Sequence, residues 1–136
     1  MTNAVPIVPV DAIDIPLQAA LWTVTGNEPG QLFTFHYCCR GGGVAETPVE
    51  LPSGHWLVRV QQTSDECYQA VHPAISWGAD KFLSTPPAST EQWAVSLVDV
   101  PDGLSEVPLR LRIFVEGGFS CCGTTSLDKV ELVRGP

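Results

Sequence analysis

Apolar and polar residues alternate in three runs along the last third of the chain, between positions 91 and 133. The first run begins at Trp93 and ends at a Pro-Asp-Gly turn, the second contains Leu111 and Ile113, and the third includes Leu132. Alternation with a period of two is typical of strands that bury one face, and proline and glycine mark the turns between them. The pattern therefore predicts the closing strands of an antiparallel β-sandwich.

Similar alternation occurs earlier in the chain and predicts strands at 21–25, 31–39 and 55–61. Twelve prolines and twelve glycines interrupt the sequence too often for long helices. The Arg-Gly-Gly-Gly segment at 40–43 is predicted to be a flexible loop. The stretch 63–90 has no clean period and is predicted to be irregular, which favours a lid or binding loop there.

The first sixteen residues differ from the rest because prolines interrupt an apolar Val-Pro-Ile-Val-Pro-Val segment. Proline cannot donate to a strand ladder, so the segment is unsuited to a central strand. We predict that residues 1–16 form an extended arm or edge strand, with residues 1–10 packed on a partner chain. Residues 17–136 are predicted to form a single β-sandwich domain, a length that can bury a core without covalent support.

The order of features in the last third resembles a known family. A tryptophan-led strand, a VPDG turn, an apolar strand, a small-residue loop and a final LDKVELV resemble the C-terminal half of jelly-roll modules of the galactose-binding-like superfamily, which includes several carbohydrate-binding modules. The resemblance implies an all-β fold, an antiparallel β-sandwich of jelly-roll type. It covers the C-terminal third only.

The same resemblance raises the question of a metal. In those modules an acidic residue near the N-terminus and an aspartate of the last strand hold a structural calcium ion. Asp128 matches that aspartate, and Asp11 or Asp14 would have to be its partner, but the N-terminal signature itself is missing. We predict that the protein binds no metal and no cofactor.

The net charge of −8, with only seven lysines and arginines, argues against nucleic acid as a partner. Binding to a phosphate backbone needs clustered positive charge. The sequence has no run of about 18 apolar residues and no basic segment at its N-terminus, which predicts no membrane span and synthesis in the cytosol without a signal peptide.

Five cysteines occur as two adjacent pairs, Cys38-Cys39 and Cys121-Cys122, and a single Cys67. Zinc sites commonly use Cys-x-x-Cys spacing, which is absent, so zinc is not predicted. One alternative is a disulfide between the two dipeptides. The other is a set of buried free thiols, which we favour for a cytosolic product.

Catalysis finds little support in the sequence. The histidines His36, His55 and His72 are scattered, and no Gly-x-Ser-x-Gly nucleophile motif occurs. Cys38 and His36 lie two apart on one predicted strand and offer a nucleophile and a base, but nothing in the pattern supplies positive charge for a thiolate. We predict that the protein is not an enzyme.

Ligand-binding residues are predicted from the polar side of the strands. If Leu111 and Ile113 face the core, then neighbouring side chains face outward, and a second strand offers a similar pair. Tyr68 and Trp77, in the irregular middle, are predicted to form an exposed stacking platform. Trp22, Trp56 and Trp93 are predicted to be core residues. The candidate ligand-binding set is Arg59, Gln61, Tyr68, Trp77, Arg110, Arg112 and Phe114.

Two functions remain open. The favoured one is a non-enzymatic structural or adhesion module of a larger assembly, such as a bacteriophage virion decoration or tail-accessory protein, with other protein chains as partners. Its expected location is a virion or another extracellular assembly. The alternative is a carbohydrate-binding module with a glycan groove on one sheet. A shared fold does not decide between them, because one scaffold hosts many functions.

Overall fold

The computed structural model describes residues 12–38, 41–65, 68–77, 81–83, 89–104, 108–117 and 122–135. In this part of the chain the only helix is a 3-10 turn at Asp102–Leu104. No helix there is long and apolar enough to cross a membrane. The described residues contain ten strands: β1 Ala12–Asp14, β2 Thr23–Thr25, β3 Thr34–Tyr37, β4 Gly42–Val49, β5 Gly54–Ser64, β6 Ala70–Trp77, β7 Lys81–Phe82, β8 Trp93–Val100, β9 Leu109–Glu116 and β10 Gly123–Arg134.

The strands form two five-stranded antiparallel sheets. In the first, called the β5 sheet, β10 pairs with β5 on one side and with β1 and β3 on the other, and β8 follows β5 at the opposite edge. In the second, the β9 sheet, the order is β2-β4-β9-β6-β7. Consecutive strands largely alternate between the sheets. The fold is an antiparallel β-sandwich of jelly-roll type, as the sequence predicts.

The core lies between the two sheets and is built from the alternation seen in the sequence. Leu111 and Ile113 of β9 are fully buried, as are Val58 and Val60 of β5. Phe35 of β3 packs in the same cluster. Burying these side chains removes apolar surface from water on both inner faces, which holds the sheets together. The predicted buried positions of these strands are confirmed.

Strand β4 corrects the predicted loop at 40–43. Gly42 and Gly43 belong to the strand, where Gly43 pairs with Val115. A Cβ at Gly43 would lie 2.6 Å from both the Thr25 carbonyl oxygen and the Tyr37 hydroxyl. Glycine therefore occurs here because two strands and a tyrosine approach closely, and the prediction of a flexible loop was wrong for Gly42 and Gly43. Arg40 lies outside the described residues.

Strand β6 corrects the prediction that 63–90 is irregular throughout. The sequence pattern hid it because both faces of its second half are buried, including the small residues Ala74 and Ser76 on the outer side. Pro73 lies within this strand, although proline cannot donate a ladder hydrogen bond. It lies between Val71, which bridges to Ser89, and Ser76, which pairs with β7, so no described neighbour on that edge requires its missing N–H.

A disulfide joins Cys38 and Cys122. The two cysteines come together because β3 ends and β10 begins at neighbouring positions, with Tyr37 opposite Gly123. The favoured prediction of free thiols was wrong for this pair, and the alternative of one bond between the two dipeptides is confirmed. The bond also removes Cys38 as a thiolate nucleophile. The other three cysteines lie outside the described residues.

The N-terminal segment is described only from Ala12. Ala12–Asp14 forms the edge strand β1, paired with β10 so that Asp14 lies opposite Glu131. The predicted contact of residues 1–10 with a partner chain lies outside the described residues and stays a prediction.

Candidate functional site

The structure divides the predicted ligand-binding residues between two opposite surfaces of the sandwich. Arg110, Arg112 and Phe114 point outward from the β9 sheet. Arg59 and Gln61 point outward from the β5 sheet, on the other side of the core. Each exposure pattern agrees with strand alternation, but the structure does not bring the two sets into one site. A surface lined by all three arginines is therefore ruled out.

The outer face of the β9 sheet carries an ion-pair network centred on Glu46 of β4. Arg112 lies directly opposite Glu46 in the β4–β9 ladder. Arg110 Nη1 donates to Glu46 Oε1 at 2.8 Å, and Arg112 Nε lies 3.2 Å from Glu46 Oε2 as an ion pair. One carboxylate thus lies between two guanidinium groups, of which the Arg110 side chain is 46% and the Arg112 side chain 21% exposed.

Two phenylalanine rings border this network. Phe82 of β7 and Phe114 of β9 have ring centroids 6.0 Å apart and planes inclined by 59°. The guanidinium carbon of Arg112 lies 5.8 Å from the Phe82 ring centroid. Phe82 keeps 37% of its surface exposed, so part of its ring remains accessible. The arrangement combines accessible apolar ring surface with planar hydrogen-bonding groups.

A hydrogen bond between His72 and Glu116 extends the surface along β9. His72 lies opposite Phe114 in the β6–β9 ladder, and its Nε2 is 3.1 Å from Glu116 Oε2. The Glu116 side chain is largely exposed. We call the whole set the β9-face cluster: Glu46, His72, Phe82, Arg110, Arg112, Phe114 and Glu116.

Sequence reasoning found three members of this cluster and missed the other four. Arg110, Arg112 and Phe114 follow from the alternation of β9. Glu46 was missed because β4 was not predicted, although alternation of Ala45 and Thr47 with Glu46 was a usable signal. Glu116 lies at the end of β9, His72 on β6 and Phe82 on β7. The sequence did not predict that β6 and β7 lie in the same sheet as β9.

Tyr68 and Trp77 do not join the β9-face cluster. Trp77 lies opposite Leu109 on the inner side of β6 and packs against the core, with the Lys81 ammonium 4.9 Å from its ring centroid. Tyr68 is half-buried just before β6 begins. The expectation that both form one exposed stacking platform is therefore wrong for Trp77.

The outer face of the β5 sheet has a different character. Arg59 lies with its guanidinium carbon 4.4 Å from the Trp93 ring centroid and also pairs with Glu131. Farther along β8, Val95 is 48% and Leu97 68% exposed. This surface therefore has the Trp93 ring beneath the Arg59 guanidinium at one end and exposed aliphatic side chains farther along β8.

Trp93 is a correction to the predicted core. Trp22 and Trp56 are buried as predicted. Trp93 shares a strand face with Val95 and Leu97, but that face points outward, because the smaller Ala94 and Ser96 occupy the inner side of β8. Strand alternation identifies two faces without saying which one is buried.

Among the described residues, no three histidine, cysteine or acidic side chains are grouped so that they could hold a metal ion. Asp128 accepts a hydrogen bond from the Thr63 hydroxyl, while Asp14 lies in the β1–β10 ladder opposite Glu131. Asp11 lies outside the described residues.

No protein-family model and no curated protein matches the chain. Solved structures match its fold. Xylanase 10C from Cellvibrio japonicus, in complex with xylopentaose, superposes with a TM-score of 0.57 at 9% identity, over 91% of this chain and 29% of that one. The xylan-binding module CBM15 gives 0.53 at 9% identity, over 91% and 96%.

A carbohydrate-binding module of the β-sandwich superfamily with promiscuous specificity gives a TM-score of 0.50 at 13% identity, over 91% of this chain and 54% of that one. Identities this low establish similarity of fold alone. The chain thus has the jelly-roll β-sandwich fold found in carbohydrate-binding modules.

Proposed function

We propose that this protein is a non-catalytic carbohydrate-binding module that binds glycan on the outer face of its β9 sheet. The observation that carries the proposal is the β9-face cluster, in which Glu46 holds Arg110 and Arg112 beside the rings of Phe82 and Phe114. The fold supports it, because a xylan-binding module aligns over 96% of its own length.

The chemistry of sugars suits this surface. A pyranose ring presents C–H groups that pack on aromatic side chains, and it carries hydroxyls that both donate and accept hydrogen bonds. Guanidinium groups supply donors in a planar fork, and carboxylates supply acceptors. Because Glu46 already fixes Arg110 and Arg112, less side-chain entropy is lost when a ligand binds.

Xylan is the first ligand to test, since two of the structures similar in fold are a xylan-binding module and a xylanase in complex with xylopentaose. Affinity electrophoresis in xylan-containing gels and calorimetry with xylo-oligosaccharides would measure binding by the wild type. A glycan array would extend the search to other sugars. No binding in any of these assays would reject the proposed function.

Two substitutions test the site itself. Arg112→Ala removes a charged donor and should weaken binding by about tenfold or more, since a hydrogen bond to a charged group contributes about 1.5–3 kcal/mol. Phe82→Ala removes the accessible ring and should weaken binding by about threefold to tenfold.

Matched controls lie on the opposite face. Gln61→Ala alters a polar outward residue of the β5 sheet, and Lys129→Ala removes a cation whose side chain is half exposed there. Both variants should bind like the wild type. Weaker binding in Gln61→Ala with unchanged binding in Arg112→Ala would place the site on the β5 sheet instead.

A further inference from the structure

Strand β8 is the edge of the β5 sheet among the described strands, and its properties support an inference that is independent of glycan binding. We propose that strand β8 pairs with β8 of a second copy of this chain, forming a two-fold dimer in which the two β5 sheets become continuous. The partner is another copy because the exposed edge is complementary to itself in both hydrogen bonding and charge.

Strand β8 is an edge strand. It pairs with β5, and no other described strand pairs with its far side. The eight residues from Trp93 to Val100 contain no proline or lysine and a single charged residue, Asp99. Proteins usually protect such an edge with charge, proline or a bulge, because a long apolar edge is a template for another strand.

The hydrogen-bonding pattern shows which backbone groups are available. Gln62 N donates to Gln92 O at 2.8 Å, so positions 92, 94, 96 and 98 direct their backbone groups toward β5. Trp93, Val95, Leu97 and Asp99 therefore direct N–H and C=O groups away from β5. The Ser89 hydroxyl donates to the Trp93 carbonyl oxygen at 3.4 Å, which agrees with this direction and leaves one lone pair of that oxygen for a partner strand.

The side chains at these positions also favour a partner. Val95 and Leu97 point outward from the sheet and are 48% and 68% exposed. Leu97 lies opposite Leu57 in the β5–β8 ladder, so the apolar outer surface of β8 extends onto β5. Pairing along the edge would bring the apolar side chains of the two copies together and remove them from water.

Geometry and charge select the register. Residues opposite each other in an antiparallel pair share a face, so outward positions must meet outward positions. With the two-fold axis at Ser96, Val95 lies opposite Leu97 of the second copy, and Trp93 lies opposite Asp99 of the second copy. The Asp99 carboxylate, which is hydrogen-bonded to His55 in its own copy, is then brought toward Arg59, which pairs with Glu131 and whose guanidinium carbon is 4.4 Å from the Trp93 ring centroid.

An axis at Leu97 is less favourable. It would place Asp99 opposite Val95 of the second copy and Trp93 opposite Pro101, which has no N–H to donate. The register centred on Ser96 therefore keeps both backbone hydrogen bonds in every pair between Trp93 and Asp99, and it places Asp99 on the same row as the Trp93 ring that the Arg59 guanidinium covers.

Sedimentation equilibrium of the full chain over a concentration series tests the dimer. Salt of about 0.15 M or above is needed, since each copy carries a net charge of −8 and the copies repel at low ionic strength. We expect a monomer–dimer equilibrium. A wild type that remains monomeric up to about millimolar concentration would overturn the proposal.

Charge substitutions test the interface and its register. Leu97→Lys and Val95→Glu should each raise the dimer dissociation constant about tenfold or more, because a two-fold interface repeats each change twice. In the double variant Val95→Glu/Leu97→Lys, the introduced ammonium of one copy lies opposite the introduced carboxylate of the other. Its dissociation constant should therefore return to within about threefold of the wild type.

Leu21→Lys is the matched control, because Leu21 is also an exposed leucine, at 44%, but lies in the turn before β2. It should dimerise like the wild type. Since both lysine variants reduce the net negative charge equally, a difference between them reports on β8. An unchanged dimer in Leu97→Lys, or a double variant no better than the single ones, would overturn the proposal.

Discussion

Tyr37 shows how much one side chain can organise. Its hydroxyl donates to the Gly26 carbonyl oxygen at 2.7 Å and lies close to Gly43, and its ring lies against Gly41. Burial, and secondarily the negative charge of Glu28, raise the pKa of the Tyr37 hydroxyl above its usual value. The folded protein therefore holds this proton more tightly than the unfolded chain does.

The pH dependence of stability follows from this pKa shift. As the pH rises past about 10, the unfolded chain loses its tyrosine proton first, so the free energy of unfolding falls until the pH passes the folded pKa. Tyr37→Phe should reduce that alkaline loss and cost about 1 kcal/mol at neutral pH through the lost hydrogen bond. Urea unfolding at neutral and alkaline pH measures both effects.

A matched variant, Tyr68→Phe, leaves Tyr37 in place and should retain the alkaline loss. If Tyr37→Phe lost stability at alkaline pH as steeply as the wild type, the assignment of this loss to Tyr37 would be wrong.

The glycines at the start of β4 decide the packing of that element. Gly43→Ala places a methyl group 2.6 Å from the Thr25 carbonyl oxygen, a backbone atom that cannot move without disturbing β2. The expected cost is about 1–3 kcal/mol, as for other overpacked sites. Gly42→Ala is the control, since its Cβ would lie at an ordinary 3.6 Å from the Val115 carbonyl oxygen.

Urea unfolding of both glycine variants gives the comparison. Gly42→Ala should change stability little, because the loss of freedom in the unfolded chain offsets small adjustments in the strand. Equal destabilisation of the two variants would show that β4 does not require the close approach at Gly43.

Strand β8 illustrates the limit of pattern reasoning at the level of an element. Alternation predicted its position correctly, yet assigned Trp93 to the core. The two faces of β8 are both largely apolar, with Val98 and Val100 on one and Val95 and Leu97 on the other. Packing against the opposite sheet determines which face is buried. The face that packs there is the one with the small residues Ala94 and Ser96.

For the whole molecule, the Cys38–Cys122 bond links residues 84 positions apart. In the chain-entropy model a closed loop of this size stabilises the fold by about 4.6 kcal/mol, through its effect on the unfolded chain. The double variant Cys38→Ser/Cys122→Ser should therefore unfold at a lower urea concentration than the oxidised wild type.

A reductant supplies the control for this prediction. Dithiothreitol should lower the stability of the wild type and leave the double variant unchanged. Reduction that left the wild type as stable as before would contradict a stabilising role for the bond.

Two expectations stay predictions: the assembly with which the protein associates, and the role of residues 1–10 in that association. The association with a virion or another extracellular assembly derives from the sequence alone, and nothing in the structure tests it. Deleting residues 1–10 would test whether that segment is needed for assembly, with the folded state of the remaining chain as the second measurement.

The sequence by itself determined the fold class and most of the strands. Alternation is a local property of the chain, so it placed Leu111 and Ile113 in the core and directed Arg110 and Arg112 outward. Alternation along β5 also predicted that Arg59 points outward, but it could not show which sheet contains β5.

Only the tertiary structure decided how these strands meet. It placed Arg59 and Arg112 on opposite surfaces, brought Glu46 to the two arginines and joined Cys38 to Cys122. The physical reason is that strand pairing in a sandwich joins residues far apart in sequence. The energy of this pairing comes from contacts between strands, and the alternation within a single strand contains no information about those contacts.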